Sequence, residues 1–250
     1  MIAVGKTDVG RVRTVNQDNI FVSTAPVGCV PNVFVVADGM GGELAGDVAS
    51  DLAIKSFIAS LTSRQANGEY LDNLITAVTA ANADVYNKGS SAPEFNGMGT
   101  TFLAVTLAGN VLYAAHVGDS RLYAVTDKKI EQLSNDHSYV MEMVRNGQLT
   151  QEEAENHPRK NVITRAVGSA GLVNVDGIIR PVAHDTIYLI CSDGLSNMVH
   201  ADEIRDIVRN RNMTVEQRAE RLIARANENG GKDNISAVII SPWEDGEVQL

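Results

Sequence analysis

The run Phe102-Leu-Ala-Val-Thr-Leu-Ala-Gly-Asn-Val111-Leu-Tyr-Ala-Ala-His-Val-Gly-Asp-Ser-Arg121-Leu-Tyr-Ala-Val125 reads as three apolar strands in quick succession. Leu107-Ala-Gly-Asn-Val111 and Val117-Gly-Asp-Ser-Arg121 look like tight connections between neighbouring strands, which makes the middle of the chain antiparallel. Outward from it lie Ile20–Ser23, Val33–Ala37, Gly177–Val182, Thr186–Cys191 and Ile235–Ile240. Several are almost continuously apolar, as strands covered on both faces must be. Helical spacing falls in separate blocks. Ile54, Ile58 and Leu61 mark Asp47–Gln65; Leu71, Leu74, Ile75, Val78 and Val85 mark Glu69–Asn87. Thr214 with Gln217 forms a capping-box pattern before Ala219, Leu222, Ile223 and Ala226, and Gly230 supplies the stop. Helices in blocks beside antiparallel strands predict an α+β fold with the helices outside. Residues 138–165 are polar and irregular, so they read as a surface insertion within a single domain spanning 1–250.

The 250 residues carry 21 basic and 31 acidic side chains, a net charge of −10. That balance argues against a nucleic acid or an anionic membrane as partner. The composition, 44% hydrophobic and 21% charged, is that of a globular protein. Cys29 and Cys191 lie far apart in apolar, strand-like runs and read as buried thiols. The N-terminus has no signal-peptide pattern and no stretch is long enough to span a bilayer, so a cytoplasmic chain is expected. It ends just after the last strand, with no membrane anchor or sensor domain expected.

The aspartates are the informative feature. Asp38 and Asp193 follow apolar runs directly, Asp119 follows Val111–Gly118, Asp18 precedes Asn19-Ile-Phe-Val, and Asp233-Asn234 precedes the last run. Asp-Gly after a strand is also a hairpin signal, and a single pair would read that way. Five carboxylates at strand mouths instead suggest convergence, which needs cations to offset the repulsion. An all-oxygen set suits Mg²⁺ or Mn²⁺ better than Zn²⁺. Gly39-Met-Gly-Gly-Glu-Leu44 breaks the dinucleotide-binding pattern at Leu44. Gly39 can instead bring its carbonyl to a metal on Asp38, and Arg13 could hold a phosphate. Neither cysteine has the Cys-x5-Arg spacing of a thiol phosphatase. Ser120 and Ser192 read as strand-end hydroxyls, His116 as a hydrogen-bonded core residue, and the Met141/Met143 pair as packing. His137 and His157 border the insertion, within possible reach of substrate.

In order, Arg13…Asn16-Gln-Asp18, Val36-Ala-Asp-Gly-Met-Gly-Gly42, Gly97-Met-Gly-Thr-Thr101, His116-Val-Gly-Asp-Ser-Arg121, Ser192-Asp-Gly194 and Gly231-Lys-Asp-Asn234 resemble the bacterial metal-dependent Ser/Thr protein phosphatases of the PPM, or type 2C, family. The match runs from about Lys6 to Ile240. It implies a β-sandwich of two antiparallel sheets flanked by helices, with two core Mn²⁺ or Mg²⁺ ions and a possible third. It implies hydrolysis of phosphoserine and phosphothreonine by direct attack of a metal-activated water. By position, Asp38 would bridge both metals, with the Gly39 carbonyl on one. Asp193 and Asp233 would ligate the other, and Asp119 with Asp193 the third. Asp18 would orient the attacking water, Arg13 would bind the phosphate, and 138–165 would be the family's mobile flap. Expected partners are phosphorylated proteins and a cognate Ser/Thr kinase, with the chain a monomer.

Three positions depart from the family pattern. Gln17 stands where many members have Glu, Met40 where the animal enzymes have a His proposed as general acid, and Glu43 where many bacterial members have His. With Met40 there, water or a flap residue must protonate the leaving oxygen. Two rival readings share the fold: a non-catalytic phosphoprotein-binding module, and a phosphate monoesterase of small molecules.

Overall fold

Strands apolar on both faces need cover on both faces, and the computed structural model, which describes residues 1–42 and 45–243, supplies it in four layers. In chain order the elements are β1 (Ile2–Asp8), β2 (Asp18–Ser23), β3 (Val33–Met40), α1 (Ala45–Thr62), α2 (Tyr70–Gly89), β4 (Gly99–Thr100), β5 (Phe102–Ala108), β6 (Val111–Val117), β7 (Arg121–Val125), β8 (Ile130–Gln132), α3 (Tyr139–Arg145), α4 (Gln151–Glu155), β9 (Asp176–Pro181), β10 (Ile187–Cys191), α5 (Asp193–Ser196), α6 (Ala201–Val208), α7 (Val215–Glu228) and β11 (Ile235–Ser241). One sheet runs β1-β11-β10-β7-β8 and the other β2-β3-β5-β6-β9, with β4 paired to β3. Every pairing is antiparallel.

The period of two along each strand sorts its side chains between two cores. Phe34 and Val36 of β3 meet Tyr188 and Ile190 of β10 and Val238 of β11 between the sheets. Val33, Val35 and Ala37 turn outward onto Ala49, Ala53 and Phe57 of α1 and Leu74 and Val78 of α2. On the other outer face Ile187, Leu189 and Cys191 pack on Ile204 of α6 and Ala219 and Leu222 of α7. Burying each large apolar side chain contributes about 1.5–3 kcal/mol, so the stacked layers need no covalent staple. Both cysteines are free and buried. The capping boxes at Thr150–Glu153 and Thr214–Gln217 are formed, each hydroxyl accepting from the N3 amide.

The structure corrects the hairpin expected at Val117–Arg121. β6 pairs with β5 and β9, whereas β7 pairs with β10 and β8, so these residues cross from one sheet to the other. A short apolar run looks the same whether the next strand lies beside it or across a core. Leu107–Val111 does form a hairpin. Cys29 lies in a loop rather than a strand, and β1, β8 and α6 carry no clear signal in the sequence pattern. β1 alternates weakly because it lies on a sheet edge, half-buried along most of its length. Residues 138–165 leave between β8 and β9, carry α3 and α4, and close at the base through a Ser138–Ile163 bridge.

Candidate active site

Antiparallel order brings the start of one strand beside the end of the next, and this gathers the aspartates at one end of the sandwich. Asp18, the first residue of β2, is directly paired with Asp38 near the end of β3. Asp193 follows β10, Asp233 precedes its neighbour β11, and Asp119 sits on the crossing between β6 and β7. Arg13, Gln17, Asp38, Gly39, Met40, Thr101, Asp119, Asn161, Asp193 and Asp233 all line one cleft of about 740 Å³. A second cleft of about 520 Å³ joins it under 138–165, sharing Asp119, Asn161 and Asp193.

Backbone approach holds these groups. Asp38 N–H donates to Thr101 Oγ1 at 2.9 Å, and Thr101 N–H donates to Asp38 O at 2.8 Å. Thr101 Oγ1 also meets Ser120 Oγ at 2.7 Å. Gly194 is a packing requirement: a Cβ there would fall 1.9 Å from Asn234 O. Asn234 in turn ties down the loop before β2, accepting from Gln17 N–H and donating to Val9 O and Val15 O, each at 2.9 Å. That loop presents Arg13, whose Nη2 donates to Asp233 Oδ2 at 2.8 Å. Beneath the cleft Asp18 is buried, with Oδ2 accepting from Ser192 Oγ at 2.7 Å and Oδ1 without a hydrogen-bond partner among the described residues.

Burial and mutual repulsion disturb the carboxylates. Burial first, then the neighbouring Asp18 and Asp193, holds Asp38 well above the usual carboxylate range. Burial with the nearby Asp193 and Asp136 charges pushes Asp119 up to about 8. Burial raises Asp193 to about 6, the Asp233 charge adding to it. Asp18 also reaches about 6, driven by burial against the lowering hydrogen bond from Ser192. The hydrogen bond to Asp233 raises Arg13 above its ordinary value. Among the described residues no three of these groups close around one point as a ready-made cage. They line an open cleft with oxygen donors only, crowded negative charge and an orphaned buried Asp18 oxygen. That set fits hard divalent cations that keep several of their waters.

Arg13, Asp38, Gly39, Asp119, Asp193 and Asp233 all line this cleft, while Asp18 lies buried outside its lining. Gln17 Nε2 donates to Gly42 O at 3.1 Å and Gly41 O at 3.5 Å, so its amide steadies the glycine loop. Glu43 lies outside the described residues. The histidine expectations need correction. His137 is wholly buried, His157 is not among the cleft residues, and neither ring nitrogen of His116 has a hydrogen-bond partner among the described residues. Sequence reasoning gave no role to Thr101, Asn234 or Gly194, although all three lie within the quoted motifs.

Residues 9–236 match the family described as protein phosphatase 2C. The chain belongs to the protein phosphatase 2C family. Within this family it is 39% identical over 249 residues to the serine/threonine phosphatase stp of Listeria monocytogenes serotype 4b (strain F2365), covering 96% of this chain and 95% of that one. It superposes on the serine/threonine phosphatase PstP/Ppp of Mycobacterium tuberculosis with a TM-score of 0.85 at 35% identity, covering 95% and 97% of the two chains. The catalytic domain of PstP solved in complex with two manganese ions matches with a TM-score of 0.81 at 34% identity, covering 95% and 96%.

Proposed function

We propose that this chain, as one phosphatase domain over 1–250, hydrolyses phosphoserine and phosphothreonine in proteins. The observation that carries the reading is the cleft in which Asp38, Asp119, Asp193 and Asp233 face Arg13. Asp38, the Gly39 carbonyl, Asp193 and Asp233 would hold two Mn²⁺ or Mg²⁺ ions, and Asp119 with Asp193 a third. Bound divalent cations would supply charge neutralisation for the phosphate and a water of lowered pKa as nucleophile.

The chain's own residues do the rest. Arg13 receives the substrate phosphate. Its present pair with Asp233 is exposed, worth only about 0–1 kcal/mol, and so is readily exchanged for a dianion. Asp18, held by Ser192, accepts a hydrogen bond that orients the attacking water. Thr101 keeps Asp38 at its station. No His, Lys or Cys lines this cleft among the described residues, which leaves water or a residue of 138–165 to protonate the leaving oxygen. Residues 138–165 act as the flap over the cleft, where Asn161 and Ile163 already line it.

The substrates imply a cognate Ser/Thr kinase that makes them. We extend the reading to a cytoplasmic monomer. In support, no helix among the described residues is long and apolar enough to cross a membrane.

Phosphate release from a phosphothreonine peptide, after chelation and then addition of Mn²⁺ or Mg²⁺, tests the reading. Turnover that needs added metal and disappears in Asp38→Ala and Asp193→Ala proteins is expected. A folded protein that binds the peptide without turnover would favour the binding-module rival. Equal rates on phosphopeptides and small phosphate esters would favour the monoesterase.

A further inference from the structure

Two segments distant in the chain, 10–13 and 227–233, are joined beside Arg13. Arg11 N–H donates to Gly231 O at 2.7 Å, and Val12 N–H donates to the same oxygen at 3.2 Å. The Arg11 side chain lies along Gly231, where a Cβ would fall 3.1 Å from Arg11 Cγ. The join brings two exposed cations, Arg11 and Lys232, to the shoulder of the cleft that holds the Arg13–Asp233 pair.

Arg11 is held at one point of its side chain. Its Nε donates at 3.1 Å to Asn227 O, in the last turn of α7. Carbonyls there lack partners further along the helix and carry the negative end of its dipole, so they suit a cation. This hook uses Nε alone. Among the described residues, neither Nη of Arg11 nor Nζ of Lys232 is paired with a carboxylate. Elsewhere Lys6, Arg209 and Arg221 are paired, with Glu216, Asp127 and Glu228. In a chain of net charge −10, this leaves a small positive shoulder beside a cleft of four aspartates.

We propose that Arg11 and Lys232 are specificity-determining residues that receive a second anionic side chain of the substrate, a carboxylate or a phosphate, near the phosphorylated residue. This deepens the phosphatase reading and rests on it in giving Arg13 the substrate phosphate. Two residues of backbone span at most about 7 Å, which bounds the Cα separation of Arg11 and Arg13. Residues two apart in an extended peptide are separated by about 6.8 Å. The match places the preferred anion two positions from the phosphorylated residue. Arg11 contributes more than Lys232. Its fork takes either anion through two parallel N–H donors, and its hooked side chain has less freedom to lose, whereas Lys232 adds a point charge.

The test uses the full chain with Mn²⁺. Steady-state kcat and KM are read on phosphothreonine peptides of one sequence. They carry Gln, Glu or a non-hydrolysable phosphonate analogue of phosphoserine two positions before or after the phosphothreonine. The proteins are the unsubstituted chain, Arg11→Gln, Arg11→Lys, Lys232→Gln and Arg64→Gln. Arg64 lies past the far end of α1, exposed and without a carboxylate partner among the described residues, so Arg64→Gln makes the same change of net charge away from the shoulder. On one side of the phosphothreonine, the unsubstituted chain is expected to show a KM about 3–10-fold lower with Glu than with Gln, and lower again with the phosphonate. Its kcat should change by less than about twofold, because the contact is made equally in the ground and transition states. Arg11→Gln is expected to cut the preference to below about twofold, Arg11→Lys and Lys232→Gln to keep part of it, and Arg64→Gln to leave it. Raising NaCl from about 50 to about 500 mM should erase most of it, since exposed charges are screened.

No preference on either side in the unsubstituted chain overturns the proposal, and that result needs no variant to fold. So does a preference that Arg11→Gln preserves, or one that Arg64→Gln lowers equally, because the field of the whole protein would then be at work. A KM that rises equally on the Gln and Glu peptides in Arg11→Gln also overturns it, since Arg11 would then only anchor the loop that presents Arg13. If no peptide is turned over, fluorescence anisotropy of the labelled peptides in Mn²⁺ gives the affinities instead. An Arg11-dependent preference without turnover keeps this inference and sinks the phosphatase reading; turnover without the preference does the reverse.

Discussion

Asp18 stands directly across the β2–β3 pair from Asp38, Asp18 buried and Asp38 half-buried at the cleft. Like charges facing each other across a strand pair are destabilising, and burial adds to the cost. Fold stability alone would not retain that arrangement, whereas cation binding gives it a use. Asp18→Asn keeps the shape and the contact with Ser192 but removes the charge. We expect a metal-free protein at least as stable as the unsubstituted one, with metal affinity or kcat lowered about 10–100-fold, as for other groups that support metal ligands. Thermal melts after chelation and a Mn²⁺ activation curve check both halves.

The raised Asp119 gives the metal-free protein a signed pH dependence. Its folded value of about 8 lies above the ordinary 3.8, so the folded state holds a proton between those values that the unfolded state has lost. Stability is therefore gained as pH falls below 8 and is lost as pH rises through it. Buried His116, lowered to about 3 by desolvation and the neighbouring His137, works the other way below its ordinary 6.5. The clean window is pH 8 to 6.5. Denaturant midpoints of the chelated protein should rise as pH falls across it, with a flatter slope in Asp119→Asn. Saturating Mn²⁺ should remove the trend, because ligating carboxylates stay ionised.

Gly194→Ala tests the approach of α5 to the start of β11. The added methyl would overlap the Asn234 carbonyl, so the strand entry carrying Asp233 must move. A loss of about 1–3 kcal/mol is expected from overpacking. Activity should fall further than stability explains, because Asn234 also holds the loop that presents Arg13. Parallel measurements of unfolding free energy and phosphopeptide kcat/KM separate the two effects.

Gln17→Glu places a negative charge beside the carboxylate cleft and removes the donor to Gly41 O and Gly42 O. We expect tighter Mn²⁺ binding together with a metal-free fold weakened by about 0.5–1.5 kcal/mol, the worth of a hydrogen bond. Mn²⁺ titration and thermal melts should move in these opposite directions. Unchanged metal affinity would mean that the charge at this position does not reach the cations.

Local chemistry alone disclosed much of this protein. Apolar runs marked the principal strands, helical spacing marked α1, α2 and α7, and the aspartates at strand ends marked the cleft, because burial periodicity and strand punctuation are local properties. Other decisions belonged to the tertiary structure. The crossing at Val117–Arg121 depends on which core each flanking strand enters, and both strands are equally apolar. The burial of His137 and its grip on Gly118 depend on residues 19 positions apart meeting beneath an insertion. The facing of Asp18 and Asp38 depends on strand register, since a slip of one residue turns each side chain to the opposite face. Composition and spacing revealed which groups this chain carries, but only packing determined which of them oppose each other.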